Sequence, residues 1–80
     1  MKEYIATFHT HLSALLTSRK LTALSVRAQM MPVPRKLSSS CGTCVRYWAK
    51  EPYLAAMDAD VEAVYETGAD GEYTRLLQND

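Results

Sequence analysis

The chain has 80 residues, 48% of them hydrophobic, and equal numbers of basic and acidic side chains give it a formal net charge of zero. This length supports a single domain, residues 1–80, with one modest core, and the neutral balance gives no excess positive charge to attract nucleic acid or an acidic membrane surface. No apolar run approaches the roughly 20 residues that cross a bilayer, and Glu3, His9 and His11 interrupt the region where a signal peptide needs an apolar core. We therefore expect a cytoplasmic protein that binds neither nucleic acid nor membranes.

The N-terminal part of the chain predicts a strand followed by a helix. Residues 3–9, EYIATFH, are rich in β-branched and aromatic side chains, and Thr10 then offers a side chain that can cap a helix. Residues 11–21, HLSALLTSRKL, place leucines three and four positions apart, which is the spacing of an amphipathic helix. We expect its core-facing stripe to consist of Leu12, Leu15 and Leu16, widened by Ala14 and Leu21.

The remaining segments predict three strands, a short helix and a weakly defined end. Residues 24–31, LSVRAQMM, residues 43–49, TCVRYWA, and residues 61–66, VEAVYE, alternate in polarity as half-buried strands do. A proline near the start of residues 51–60, EPYLAAMDAD, predicts a short second helix. Residues 72–80, EYTRLLQND, predict a final helical turn or a frayed end.

The order strand, helix, strand, strand, helix, strand predicts a ferredoxin-like β-α-β-β-α-β sandwich of the α+β class. In this architecture two helices cover one face of a four-stranded antiparallel sheet and leave the other face open. The alternation predicts, on the covered face, Val26, Ala28, Met30, Val45, Tyr47, Val61, Ala63 and Tyr65. It predicts, on the open face, Arg27, Gln29, Cys44, Arg46 and Trp48. Because an open face that carries a tryptophan usually meets a partner, a homodimer is one expected assembly.

The segment VPRKLSSSCGTCVRYW, residues 33–48, carries Cys41 and Cys44 in a Cys-x-x-Cys spacing. Cytosolic thiols stay reduced, so the pair points to redox, metal or reactive-thiol chemistry more than to a structural disulfide. A disulfide needs Cα atoms within about 7 Å, whereas residues three apart on an extended strand lie about 10 Å apart. A zinc site usually needs four ligands, and the remaining candidates, His9 and His11, lack the usual spacing, so we expect no metal and no cofactor.

A single nucleophilic thiol at Cys41 is the third chemistry. The three preceding serines and the following glycine form a flexible segment whose N–H groups can make a small anion-binding concavity. Neighbouring basic side chains would add positive potential that favours a thiolate. These are Arg35, Lys36 and Arg46. The alternative for either cysteine is a small buried hydrophobic side chain, which is the role we expect for Cys44 in its strand.

The stretch MMPVPRKLSSSCGTCVRYW, residues 30–48, resembles the signature of a small bacterial family of Se/S carrier-like proteins. In that signature a strand ends in a Pro-x-Pro-Arg turn, which is followed by Ser-Ser-Cys-Gly. The likeness is specific at Pro32, Pro34, Arg35, Ser39, Ser40, Cys41, Gly42 and Arg46. The resemblance implies a stand-alone domain that handles selenium or sulfur, with Cys41 as the carrier residue.

Three functions remain open at the level of sequence. The first is a sulfur or selenium carrier, more a carrier than an enzyme, in which Cys41 accepts the atom from a donor protein and passes it to an acceptor protein. The second is a non-catalytic module that docks a protein through the open sheet face, and the third is a Cys-x-x-Cys dithiol redox protein. The expected site consists of Cys41 as the catalytic thiol, with Arg35, Ser39, Ser40, Gly42, Cys44 and Arg46 as binding residues.

Overall fold

The computed structural model describes residues 1–79, which form one α-helix, one short 3-10 helix and five strands. In chain order the elements are β1 (Lys2–Phe8), α1 (His11–Ala23), β2 (Arg27–Pro32), β3 (Thr43–Ala49), the 3-10 helix (Leu54–Ala56), β4 (Val61–Thr67) and β5 (Tyr73–Gln78). The strands form one sheet in the order β2-β3-β1-β4-β5, with every neighbouring pair antiparallel. The predicted α+β class and antiparallel sheet are confirmed. Neither helix in the described part of the chain has the length and apolar character needed to span a bilayer.

The second helix predicted for residues 51–60 is wrong, because only a single 3-10 turn forms there. Tyr53, just before this turn, has a φ of +50°, a left-handed conformation through which a right-handed helix cannot continue. The segment is instead bonded to α1: Ser13 Oγ donates to the Asp58 carboxylate at 2.7 Å, and Asp58 N donates to Thr17 Oγ1 at 2.9 Å. The predicted arrangement of two helices over four strands is therefore not observed.

The C-terminal segment predicted as a helical turn or a frayed end is a fifth strand. β5 pairs with β4 at one edge of the sheet. The turn that joins them is closed by a bond of 2.7 Å from Gly68 N to Glu72 O, and Gly71 has a φ of +81°, which glycine adopts without strain. Asp80, the last residue of the predicted segment, lies outside the described residues.

Helix α1 packs on the sheet through a stripe that only partly matches the predicted one, since Ala14 and Leu21 are buried as predicted. Leu12 and Leu16 are 61% and 43% exposed, so their predicted place in the core is wrong. The buried residues of α1 are Ser13, Ala14, Thr17 and Leu21. The hydroxyls of Ser13 and Thr17 both form hydrogen bonds with Asp58, so neither is buried without a partner.

The core lies between α1 and the sheet and is built around two stacked tyrosines. The rings of Tyr4 and Tyr47 have centroids 5.2 Å apart and an interplanar angle of 25°. Tyr47 O–H donates to Pro52 O, and burial raises the pKa of both phenols. The other members of the core are Ala6, Phe8, Ala14, Leu21, Val26, Val45, Ala49, Ala56, Val61 and Val64. Their burial stabilises the fold by about 25 cal/mol for each Å² of apolar surface removed from water.

A β-bulge in β4 changes the side of the sheet on which its residues lie. Thr7 pairs with Ala63, but the next residue of β1, Phe8, pairs with Val61, so Glu62 is an extra residue in β4. Val61 packs in the core beside Phe8, whereas Ala63 lies with Thr7 on the side away from α1. The simple alternation along this strand is therefore broken at the bulge.

The side of the sheet opposite α1 is only partly open. Ala63 and Tyr65 lie on this side after the bulge, so their predicted place beneath the helices is wrong. The predicted open-face residues of β2 and β3 do lie here, but several residues of this side are fully buried, namely Ile5, Thr7 and Cys44. Lys36 Nζ lies 3.3 Å from Glu72 Oε1. This ion pair links the β2–β3 connection at one end of the sheet to the β4–β5 turn at the other end.

Candidate functional site

The segment between β2 and β3, residues 33–42, holds the three serines, and we call it the cysteine loop. A bond of 3.1 Å from Val33 N to Gly42 O closes its base, and a bond of 3.0 Å from Leu37 N to Pro34 O forms an inner turn. Gly42 has a φ of +75°, a backbone conformation that favours glycine. Hydrogen bonds and the conformation of its own backbone therefore define much of the shape of the loop.

Cys41 lies at the end of the sheet where β1 stops, and its side chain is half-buried. Ser39 Oγ donates to Phe8 O at 2.8 Å, which attaches the loop to the last residue of β1. Cys41 Sγ donates to Thr43 O at 3.5 Å and lies 3.9 Å from Ser39 Oγ. Cys41 also packs against the core. The residue is therefore held in place and partly exposed.

Ser40 makes the largest set of polar contacts in the cysteine loop. Its N–H donates to Glu62 Oε1 at 3.3 Å, and its hydroxyl donates to Glu62 Oε2 at 3.1 Å. The same hydroxyl oxygen lies 3.5 Å from His9 Nδ1, which is 3.9 Å from Glu62 Oε2. Glu62 is the extra residue of the bulge in β4, a feature that often re-aims a side chain next to a functional site.

His9 and His11 join the site through partners that the sequence did not indicate. His9 Nε2 lies 3.2 Å from Asn79 O, and Nδ1 faces Ser40. His11 Nδ1 lies 3.4 Å from Thr43 Oγ1. The position of His9 directly after β1 could have indicated that it lies in the site. Asn79 reaches His9 only through the pairing of distant strands, which the sequence did not indicate.

Cys44 has surroundings opposite to those of Cys41. It is fully buried on β3, on the side of the sheet away from α1, and its Sγ donates to Pro32 O at 3.7 Å. Burial raises the pKa of the Cys44 thiol to about 11; the Arg46 guanidinium opposes this shift, and Cys41 adds a smaller increase. The Cys44 thiol is therefore protonated near neutral pH and lies away from solvent.

Two of the three basic residues expected around the reactive thiol contact other parts of the molecule, and the third is exposed. Lys36 is engaged by the β4–β5 turn. Arg46 lies on the side opposite α1, with Nε 3.9 Å from Glu3 Oε2 and its guanidinium 5.9 Å from the ring centroid of Trp48. Arg35 is exposed in the inner turn of the loop. No hydrogen bond within residues 1–79 joins these three basic side chains to the thiol, whose polar contacts are with Ser39 Oγ and Thr43 O.

The site offers a thiol, hydroxyls and unengaged amides. The amides of Cys41 and Gly42 have no hydrogen-bond partner among the described residues. Amides of this kind can donate to an anion. Within residues 1–79 no three His, Cys, Asp or Glu side chains converge to hold a metal ion, and no pocket is found.

Comparison with known proteins bears on the part of the chain that contains this site. Residues 3–65 match the family model described as "Putative Se/S carrier protein-like". The match runs from β1 to Tyr65 in β4 and includes the whole cysteine loop. No curated protein and no solved structure matches the chain. Because the family match covers well over half of the 80 residues, the chain belongs to the Se/S carrier-like family.

Proposed function

We propose that this protein carries sulfur or selenium on Cys41. The observation that supports this residue is the contrast between the two thiols, since Cys41 is half-buried in a loop and Cys44 is fully buried with its pKa raised to about 11. A carrier thiol has to meet a donor and an acceptor in turn, so it needs solvent access. In this proposal the donor and the acceptor are both proteins. Both cysteines are free, which suits the reducing cytoplasm that we propose as its location.

In the proposed loading step the Cys41 thiolate attacks the terminal sulfur of a donor persulfide, R–S–SH. A bond forms between Cys41 Sγ and that sulfur, the donor S–S bond breaks, and its electron pair leaves on the donor thiolate. The proton stays on the transferred sulfur, so Cys41 becomes a persulfide without an outside oxidant or reductant. Delivery follows the same course, with Cys41 as the leaving thiolate, and selenium would follow it with –SeH in place of –SH.

The loop amides support the stability of this adduct. A persulfide ionises more readily than its parent thiol, so its terminal sulfur is an anion that can accept hydrogen bonds. The amides of Cys41 and Gly42, which have no partner within residues 1–79, are the nearest donors along the chain. A charge-assisted hydrogen bond contributes about 1.5–3 kcal/mol, so one such bond favours the ionised adduct appreciably.

Mass spectrometry after incubation with a cysteine desulfurase and cysteine tests the proposal. We expect one added sulfur on the peptide that contains Cys41, both in the wild type and in Cys44→Ser, and none in Cys41→Ser. Cys44→Ser is a matched control, because a serine hydroxyl can still donate to Pro32 O. Repeating the incubation with selenocysteine decides between sulfur and selenium. Loss of all loading in Cys44→Ser, together with an internal disulfide in the oxidised wild type, would contradict the proposal and favour a dithiol redox protein.

A docking module is the second candidate function, and the side of the sheet opposite α1 supports it. Trp48 is half-buried there, with the Arg27 and Arg46 guanidinium groups 4.8 Å and 5.9 Å from its ring centroid. Tryptophan and arginine are enriched at the centres of protein interfaces. If a second copy docks here, light scattering will detect a dimer that Trp48→Glu converts to a monomer. A molecular mass that the substitution leaves unchanged would remove self-association through this side of the sheet.

A further inference from the structure

We infer that Glu62 is a positioning residue for Cys41, an inference that rests on the proposed carrier function. Its carboxylate accepts two hydrogen bonds from Ser40, the residue directly before the thiol, at 3.3 Å from the amide and 3.1 Å from the hydroxyl. The Glu62 side chain thus binds a backbone amide of the cysteine loop. Two bonds to one residue restrict both its position and its rotation, and so they restrict the backbone that leads into Cys41.

Glu62 is itself held firmly at the bulge. Its backbone carbonyl accepts a bond of 2.8 Å from Asn79 N, and its side chain is only 22% exposed. The bulge interrupts the regular alternation of β4 at this residue. A strand gives up part of its ladder at a bulge, and bulges are over-represented beside active sites, where they aim a side chain. The carboxylate that reaches the cysteine loop therefore starts from a fixed point of the sheet.

His9 completes the contacts around Ser40. Its ring lies between two partners, with Nε2 3.2 Å from Asn79 O and Nδ1 3.5 Å from Ser40 Oγ. The single hydroxyl hydrogen of Ser40 is directed to Glu62 at the shorter distance of 3.1 Å. We call Glu62, His9 and Ser40 the serine clamp. Together with the bond from Ser39 to β1, it anchors the two residues that precede the thiol.

A firm position matters for a thiol that exchanges sulfur with other proteins. The Cys41 sulfur has to meet the terminal sulfur of the donor in line with the bond that breaks. A misplacement of about 1 Å at a reacting centre can slow a reaction by about a hundredfold. The serine clamp therefore acts through Ser40 on the presentation of Cys41, and Glu62 does not touch the transferred atom.

Substitution of Glu62 tests the inference, and the chain offers two matched comparisons. Glu62→Ala removes both acceptors of the clamp. Glu62→Gln keeps one oxygen for the Ser40 amide and an amide group that can donate to the Ser40 hydroxyl. Glu66→Ala is the control on the same strand, because Glu66 pairs with Lys2 at 3.7 Å instead of with the cysteine loop. Urea unfolding establishes that each variant is folded, and Glu62→Asp, whose side chain is shorter by one methylene, replaces Glu62→Ala if alanine does not fold.

Three rates are then compared with those of the wild type. In Glu62→Ala we expect the Ser40 amide to exchange with solvent about tenfold faster, as follows from the loss of one hydrogen bond to a charged group. Iodoacetamide should label Cys41 faster because the thiol is less confined, whereas sulfur loading from a cysteine desulfurase should slow because the thiol is less often in place. Glu62→Gln and Glu66→Ala should remain close to the wild type in all three rates.

Three results would overturn the inference, two of which concern single variants. One is a Glu62→Ala variant in which amide exchange and labelling keep their wild-type rates, and the other is a Glu62→Gln variant that behaves like Glu62→Ala. If amide exchange speeds up while both thiol rates stay unchanged, the clamp is structural only and the inference also fails. If the wild type takes up no sulfur, the carrier function fails on its own, and the exchange and labelling rates still decide whether Glu62 positions Cys41.

Discussion

Two regions of the molecule, the core and the cysteine loop, are held together by different forces. The core lies between α1 and the sheet. The first is filled by apolar side chains around the stacked Tyr4 and Tyr47. The second is fixed by directional hydrogen bonds from Ser39 to β1 and from Ser40 to Glu62. Apolar burial is large and non-directional, whereas one hydrogen bond contributes about 0.5–1.5 kcal/mol net but specifies geometry. Stability and the placement of the thiol are therefore separable properties of this protein.

The two cysteines are also held differently, although only two residues separate them in the chain. Cys44 is fully buried on the side of the sheet away from α1, whereas Cys41 lies in the hydrogen-bonded loop and packs at the edge of the core. Substitutions in the packed region should change the free energy of unfolding, and substitutions in the loop should change the reactivity of the thiol. The experiments below test this separation in order of the expected change in the free energy of unfolding.

The largest change is expected from Leu21→Ala. Leu21 is fully buried, whereas Leu12 on the same helix is 61% exposed. Truncating a buried leucine costs about 2–5 kcal/mol through lost apolar burial and the cavity left behind, and an exposed one stays within about 0.5 kcal/mol. Urea denaturation of Leu21→Ala beside the control Leu12→Ala measures the difference. Equal losses in both variants would mean that Leu12 is as buried as Leu21, which would contradict this packing of α1.

The next largest change in the free energy of unfolding is expected at alkaline pH and comes from the buried thiol of Cys44. Burial raises the pKa of Cys44 from 9.0 to about 11. The stability from keeping this thiol neutral is fully present below the unfolded pKa; above it the unfolded state releases its proton first, so stability falls until pH passes the folded pKa. The expected loss is about 2–3 kcal/mol between roughly pH 8 and pH 12. Subtracting the profile of Cys44→Ala removes the contribution of the tyrosines, and parallel profiles for the two proteins would show that Cys44 is not the group responsible.

A smaller change is expected from Ser13→Ala, which tests a polar contact inside the packed region. The Ser13 hydroxyl holds the pKa of Asp58 below its ordinary value, with further help from the Asp60 amide. A folded pKa below the unfolded one gives stability above the unfolded pKa that is lost as pH falls through the folded pKa. Ser13→Ala should lower stability at neutral pH by about 1–2 kcal/mol and flatten the acid side of the profile. A variant with the wild-type acid profile would assign the shift to another group.

The smallest change is expected from Cys41→Ser. Its side chain is half-buried in the loop, and a serine hydroxyl can take over the bond to Thr43 O. We expect the free energy of unfolding to move by no more than about 0.5 kcal/mol, while all persulfide formation is lost. Urea unfolding and mass spectrometry of the same sample give both quantities. A loss of several kcal/mol would place Cys41 within the packed region and end the separation between the two thiols.

Local sequence patterns predicted the elements that depend on local chemistry. The strands β1 to β4 and the helix α1 form where alternation and spacing indicated them, and Thr10 caps α1 by accepting a bond from Ser13 N at 3.1 Å. Cys41 lies in a loop and Cys44 in a strand, as the turn composition before β3 predicted. These features follow from residues that are close together in the chain.

The features that the sequence did not predict depend on distant partners. Ser13 is buried in place of Leu12 because Asp58, far along the chain, receives its hydroxyl. Glu62 faces the cysteine loop because of a bulge that is defined only by the pairing of β4 with β1. The second helix failed for a related reason, since the segment bonds to α1 in place of forming its own turns. Periodicity within one segment contains no information on such long-range bonds.

The position of β1 at the centre of the sheet has a consequence for biosynthesis. β1 is translated before both of its neighbours, which begin at Thr43 and Val61, and it lies between them in the finished sheet. A nascent chain that ends before Val61 would leave one edge of β1 without hydrogen-bond partners, and such long-range pairing is slow to form. The apolar residues of β1 therefore stay available to chaperones until β4 has left the ribosome.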